Sequence, residues 1–284
     1  MAAGQDLSLK AADGTRLALT DWLLPPGAAL GGVVLMHGLG EHSGRYAHVA
    51  QFFNHHGWSV RAYDHRGHGR SGGARGDVPD DQTMLQDARL VIEDFAARTG
   101  TAPLLFGHSM GGLFAARYAT GNLSPLRGLI LSSPALAVPL SGAQKILLKI
   151  LTAVAPGLGI PNGVKSEFLS HDPAVAKAYT SDALVHAKIS ARLLHSMLAS
   201  IAFAQANAGS LRLPTLMVVA GDDRLVDASG SKAFFEQITA GVGRLHWYAD
   251  LYHELWNEVD QQKVFGDLAA WLAAHGWSKT QSAA

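Results

Sequence analysis

Short, unbroken apolar runs set the limits on what this chain can become. Gly32-Val33-Val34-Leu35-Met36, Pro103-Leu104-Leu105-Phe106, Gly128-Leu129-Ile130-Leu131 and Leu216-Met217-Val218-Val219-Ala220 are too short for buried helices and show no polar alternation. Strands covered on both faces read this way. Between them lie segments of helical period. In residues 83–98, Leu85, Ala88, Val91, Ile92 and Phe95 fall on one stripe, with Thr83 placed to cap it. Residues 46–56, 111–120, 232–238 and 259–275 read as further helices, and 58–63 and 245–248 as further strands. Residues 7–11 and 15–23 alternate in polarity around Ala12-Asp13-Gly14, a hairpin signal. Repeated strand–helix units demand a mainly parallel sheet with helices on both faces, an α/β fold.

One interval breaks the rhythm. Residues 136–208 are helical in pattern, punctuated by Pro139, Pro156, Pro161 and Pro173, and hold no convincing strand. The expected organisation is a core made of residues 1–135 and 209–284 with a helical cap, 136–208, inserted between two sheet strands. At 284 residues the chain is long enough to bury its core without crosslinks. It has no cysteine, which excludes disulfides, thiolate metal sites and a thiol nucleophile. Its 23 basic and 23 acidic side chains balance, which argues against a nucleic-acid partner.

The chemistry is carried by Gly107-His108-Ser109-Met110-Gly111. A Gly-x-Ser-x-Gly pattern is weak alone; Gly69-Arg70-Ser71-Gly72-Gly73 also fits it. Context separates them. Ser109 follows a buried strand and precedes a helix, the sharp turn that lifts a serine oxygen clear of a sheet. Ser71 sits among arginines with neither neighbour. A serine hydroxyl needs a base to take its proton. In this topology an acid and then a histidine follow the serine, each after a later strand. Asp222, Asp223 and Asp227 compete for the first role. His253 is expected to be the base, since it lies on a loop after the last strand, whereas His246 lies within that strand and His275 ends a helix. Met110 and Leu39, in His37-Gly38-Leu39-Gly40, are the expected backbone N–H donors to an oxyanion.

His37-Gly38-Leu39-Gly40-Glu41-His42-Ser43-Gly44-Arg45-Tyr46 resembles a segment of monoacylglycerol lipases and related lysophospholipases. Asp64-His65-Arg66-Gly67-His68-Gly69-Arg70-Ser71-Gly72, the Ser109 segment with Gly112, Asp223-Arg224-Leu225-Val226-Asp227 and Tyr252-His253 are similar too. The resemblance spans roughly residues 8 to 272. It implies the α/β-hydrolase fold and a serine hydrolase of fatty-acid esters that uses no cofactor. It selects Asp223 as the acid, aligns the oxyanion donors with Leu39 and Met110, and implies an alcohol-binding role for Glu41, Arg45 and Tyr179. By spacing alone, Glu41 and Arg45 also fit a structural (i, i+4) ion pair. Mammalian members carry a second histidine three residues after the reactive one, where this chain has Trp256. His65 and His68 lack a third ligand, so no metal is expected.

Residues 143–155 are unusually apolar for a surface helix. Lys145 and Lys149 share one face, and Ile146, Leu147, Leu148, Ile150, Leu151 and Val154 cover the rest. The helix is expected either to pack against the sheet domain, or to lie on lipid or guide an acyl chain toward Ser109, with Leu147 and Leu151 as the positions that test the guidance. No leader-like pattern and no long apolar span is seen, so a cytoplasmic enzyme with peripheral membrane contact is expected.

Overall fold

A computed structural model describes residues 2–279 other than Pro139; the Lys145 side chain also lies outside the described set. In chain order the elements are β1 (Gln5–Lys10), β2 (Arg16–Trp22), β3 (Gly32–Met36), α1 (Ala47–His55), β4 (Ser59–Tyr63), α2 (Thr83–Thr99), β5 (Leu104–His108), α3 (Met110–Thr120) and β6 (Gly128–Ser132). There follow α4 (Gly142–Val154), β7 (Gly159–Pro161), α5 (Pro173–Ser181), β8 (Lys188–Ser190), α6 (Ala191–Asn207), β9 (Thr215–Ala220), α7 (Ala228–Gln237), β10 (Gly243–Tyr248) and α8 (Gln261–Ala274).

Eight strands form one sheet in the order β1-β2-β4-β3-β5-β6-β9-β10. β1 and β2 pair antiparallel, as does β2 with β4, and the remaining pairs are parallel. The apolar runs are apolar throughout because both faces are covered. Successive residues feed two separate cores: Val34, Met36, Leu105 and Met217 face one way, Val33, Leu35, Phe106 and Val218 the other. The first core is closed by α2, α3, α6 and α7, the second by α1 and α8. Each fully covered Leu or Phe contributes about 2 kcal/mol relative to exposure, so the central strands anchor the loops at their carboxyl ends.

The segment between β6 and β9 contains α4 to α6, and also an antiparallel pair of strands, β7 and β8, which corrects the expectation of no strand there. Each is three residues long, too short to show alternation. Gly76 O accepts from Ser190 N at 2.8 Å, and Gly40 O accepts from His186 N at 2.8 Å, so this segment is tied to two core loops.

Two local expectations are also corrected. Gln82, not Thr83, stands at the N-cap of α2, and Asp80 Oδ1 accepts from Gln82 N and Thr83 N just before it. α7 begins before residue 232, because Asp227 caps it by accepting from Ser229 N. β10 is an edge strand, only partly covered, which leaves His246 half-buried and 3.3 Å from Asp267.

Candidate active site

Ser109 stands between β5 and α3 with φ 53° and ψ −119°, a conformation costly for any residue with a side chain. The flanking glycines make the turn possible. A Cβ on Gly107 would lie 2.5 Å from Gly111 O, and one on Gly111 would lie 2.3 Å from Met36 O. The serine is thus held at the carboxyl edge of the sheet, half-exposed, against the Gly38 loop. Among the described residues its hydroxyl makes no hydrogen bond. Ser71, by contrast, is buried and engaged both ways: its Oγ donates to Asp64 O and accepts from Ala18 N.

His253 and Ser109 line one cavity with Leu39, Met110, Glu41 and Tyr179. Nucleophile–base contacts are often loose in unliganded sites. The His253 ring is fixed from behind: its Nδ1 lies 2.6 Å from Asp223 Oδ2. Of the three competing aspartates only Asp223 is so placed. Asp222 pairs with Arg224 on the surface, and Asp227 caps α7. Asp223 Oδ1 accepts from Leu225 N and Val226 N, both at 2.9 Å. Burial opposes ionisation of this carboxyl, yet the His253 charge and these hydrogen bonds hold it below the usual range. Burial likewise pulls His253 down, but the Asp223 carboxylate outweighs it and raises the imidazole above its ordinary value.

Leu39 and Met110 both border the cavity beside Ser109. Met110 opens α3, where the first N–H groups have no carbonyl partner within the helix. The Leu39 loop is clamped on both sides. Glu41 Oε1 accepts from Gly38 N at 2.6 Å, and Gly40, with φ 79°, leaves a Cβ only 2.5 Å from His186 O. This arrangement can move a proton off a hydroxyl and offer two amides to a developing oxyanion.

Glu41 and Arg45 do form the (i, i+4) pair, at 2.5 Å. They do more. Tyr46 OH donates to Glu41 Oε1, and Arg45 forks onto Glu254 with Nη1–Oε1 at 2.5 Å and Nη2–Oε2 at 2.7 Å. The Arg45 guanidinium also lies 5.0 Å from the centre of the buried Tyr179 ring. Glu41, Glu254 and Tyr179 line the cavity, and Asp223 is joined to it through His253.

Glu254 was not foreseen. Its only sequence signal is an acidic residue directly after His253, and its partner lies 209 positions upstream. The apolar wall was also missed in detail: Val138, Ile189, Leu194 and Met197 of the segment between β6 and β9 face Ser109's cavity. No residue of α4 does so among the described residues, which corrects the expectation that Leu147 and Leu151 guide a chain to the serine. Leu147 points outward and Leu148 inward. Trp256 is buried in the second core, donating to Ser132 Oγ at 2.8 Å, and so takes no part in the cavity. His108, accepting or donating to the same Ser132 Oγ at 3.1 Å, is pulled down to about 3 by burial and then by His253, so it stays neutral.

The chain is similar to known proteins. A family model described as serine aminopeptidase, S33, covers residues 27–260. A monoacylglycerol lipase of Mycolicibacterium smegmatis is 35% identical over 92% of this chain and 94% of its own. The human monoglyceride lipase is 31% identical over 95% and 91%. The crystal structure of the Paleococcus ferrophilus monoacylglycerol lipase superposes with a TM-score of 0.84 at 33% identity, covering 91% of this chain and 99% of that one. With its eight-stranded sheet and turn-borne serine, the chain belongs to the serine hydrolase family described as serine aminopeptidase, S33, and has the α/β-hydrolase fold.

Proposed function

We infer that the protein hydrolyses monoacylglycerols, with Ser109 as nucleophile, His253 as general base and Asp223 as the residue that orients it. The observation that carries this is the 2.6 Å pairing of His253 with Asp223 at the wall of the cavity that also holds Ser109 on its strained turn. His253 Nε2 takes the hydroxyl proton as Ser109 Oγ attacks the ester carbonyl. The amides of Leu39 and Met110 hold the resulting oxyanion. The imidazolium, stabilised by Asp223, gives its proton to the departing glycerol oxygen. Water then enters, loses a proton to His253, and cleaves the acyl-enzyme to release the fatty acid and restore Ser109. Water is the only co-reactant this scheme requires.

The lipid assignment draws on two supports. Besides the polar group of Glu41, Tyr179 and Glu254, the cavity is lined by apolar side chains, Val138, Ile189, Leu194 and Met197 among them, as an acyl chain needs. Three relatives that match over nine-tenths of both chains are monoacylglycerol lipases. On this reading residues 1–135 and 209–284 are the hydrolase core, and 136–208 form a cap that supplies the acyl wall. The exposed Ile146, Leu147, Ile150, Val154 and Leu158 of that cap form an apolar face suited to a membrane surface; no helix among the described residues is long and apolar enough to span one.

The test is release of oleate from monooleoylglycerol, with a fluorophosphonate probe reporting the activated serine. Wild type should turn over and label, and Ser109→Ala should do neither. Labelling that persists in Ser109→Ala would move the nucleophile elsewhere.

A further inference from the structure

The headgroup end of the cavity carries a fixed negative charge. Glu41 and Glu254 both face it, each 4% exposed at the side chain, and they share one cation, Arg45. Three of that cation's five N–H groups are engaged by the two carboxylates: its Nη1 donates to Glu41 Oε2 and Glu254 Oε1, and its Nη2 donates to Glu254 Oε2. Two carboxylates against one guanidinium leave one negative charge in a partly desolvated pocket. Among the described residues the cavity wall holds no lysine or arginine. The outlying Arg224 is already paired with Asp222. The remaining groups at this end, Asn162 and Tyr179, are neutral hydrogen-bonding partners.

We propose that Glu254 is a specificity-determining residue: together with Glu41 it makes a charge filter that admits esters of uncharged polyols and rejects esters whose alcohol bears a phosphate. Without Glu254, the Glu41–Arg45 pair is neutral and the filter is lost. The position matters because Glu254 lines the same cavity as His253, the residue that protonates the leaving alcohol, so the rejected group is an anion on that alcohol. Charge repulsion at such range in a partly buried site is weakly screened by salt. The same surplus charge favours the imidazolium of His253, which is consistent with a base that must hold a proton during the reaction. The proposal rests on the glyceride-hydrolase reading above and adds the headgroup rule that separates glycerides from lysophospholipids.

The experiment compares two substrates that differ only by a phosphate, 1-oleoylglycerol and 1-oleoylglycerol 3-phosphate, in matched detergent micelles. The wild type should prefer the neutral ester by roughly hundredfold or more in kcat/KM. Glu254→Gln, which keeps shape and an acceptor oxygen, should narrow that ratio by about tenfold or more. Glu254→Asp, which keeps the charge, should retain the preference even if it turns over slowly. This contrast separates charge from size: a filter by bulk would leave the ratio unmoved in Glu254→Gln. If that variant does not fold, the dimethyl ester of the same phosphate, as bulky but uncharged, takes its place as a substrate: the wild type should accept it as a charge filter requires, and rejection of it overturns the filter. Equal turnover of both lipids by the wild type, or an unchanged ratio in Glu254→Gln, overturns the filter and leaves the ester-hydrolase reading standing. Turnover of neither lipid overturns both.

Discussion

His253 Nδ1 lies 2.6 Å from Asp223 Oδ2, and the far oxygen of that carboxylate is held in turn by the amides of Leu225 and Val226. The ring therefore has one tautomer and one orientation available, with Nε2 turned to the cavity. Replacing Asp223 with Asn removes the charge and lets the amide donate to Nδ1, which inverts the tautomer. Activity on a soluble ester should fall by roughly three to four orders of magnitude. The pH profile should move as well. A general base must be neutral, so kcat/KM falls as pH drops through the His253 pKa, and Asp223 places that value above the ordinary one. In Asp223→Asn the acid limb of kcat/KM should shift to lower pH. An unmoved limb would assign the titration to another group.

The strain at Ser109 gives an opposed pair of effects. A residue with φ 53° and ψ −119° costs of order 1–3 kcal/mol, a cost glycine escapes. Ser109→Gly should abolish turnover while raising the unfolding free energy by about 1 kcal/mol, after allowance for the greater freedom of glycine in the unfolded chain. Urea unfolding of the two proteins checks it. A loss of stability would show that the hydroxyl is a structural tether.

Much of this was legible in the chain, for physical reasons that differ from residue to residue. Strands buried on both faces must be continuously apolar, so β3, β5, β6 and β9 announce themselves. Ser109 was legible because the turn demands small neighbours at 107 and 111, and His253 because a parallel sheet delivers loop residues to one edge. Spacing alone could not choose among three aspartates, since the choice lies in which carboxylate meets a ring 30 residues away. Glu254 was invisible because its meaning comes from Arg45, which only tertiary structure brings near. β7 and β8 escaped because three residues carry no period. The outward direction of Leu147 depends on how α4 lies against α6, which helical period does not fix.

Buried histidines make stability sensitive to mild acid. Six, His37, His48, His65, His68, His108 and His186, are held by burial below the ordinary value, whereas His253 is raised. A histidine with a lowered folded pKa binds its proton more readily when unfolded. Its contribution is complete above 6.5 and is lost progressively as pH falls toward the folded value; the raised His253 acts the other way but is one against six. For His108, from 6.5 to about 3, the loss between pH 6.5 and 5 is about 1.5 kcal/mol. Carboxylates titrate mostly below this window. Unfolding free energies measured across it should fall steeply in the wild type and less steeply in His108→Gln. Parallel slopes would mean that His108 is protonated in the folded protein.

The apolar face of α4 is the place to separate lipid attachment from catalysis. Leu147 and Ile150 are 54% and 52% exposed, and neither borders the cavity. About half of each side chain is already covered, so burying the rest in an interface would contribute about 0.8–1.5 kcal/mol apiece. The two together exceed about 1.4 kcal/mol, a tenfold change in partitioning. The double variant Leu147→Ser, Ile150→Ser should therefore bind neutral phosphatidylcholine vesicles at least about tenfold more weakly in a sedimentation assay. Hydrolysis of a soluble short-chain ester should be unchanged, because the wall of Val138, Ile189, Leu194 and Met197 is untouched. The two readouts discriminate. Equal losses on vesicle-borne and soluble esters would place α4 in the path to Ser109, and full retention of vesicle binding would remove this face from membrane contact.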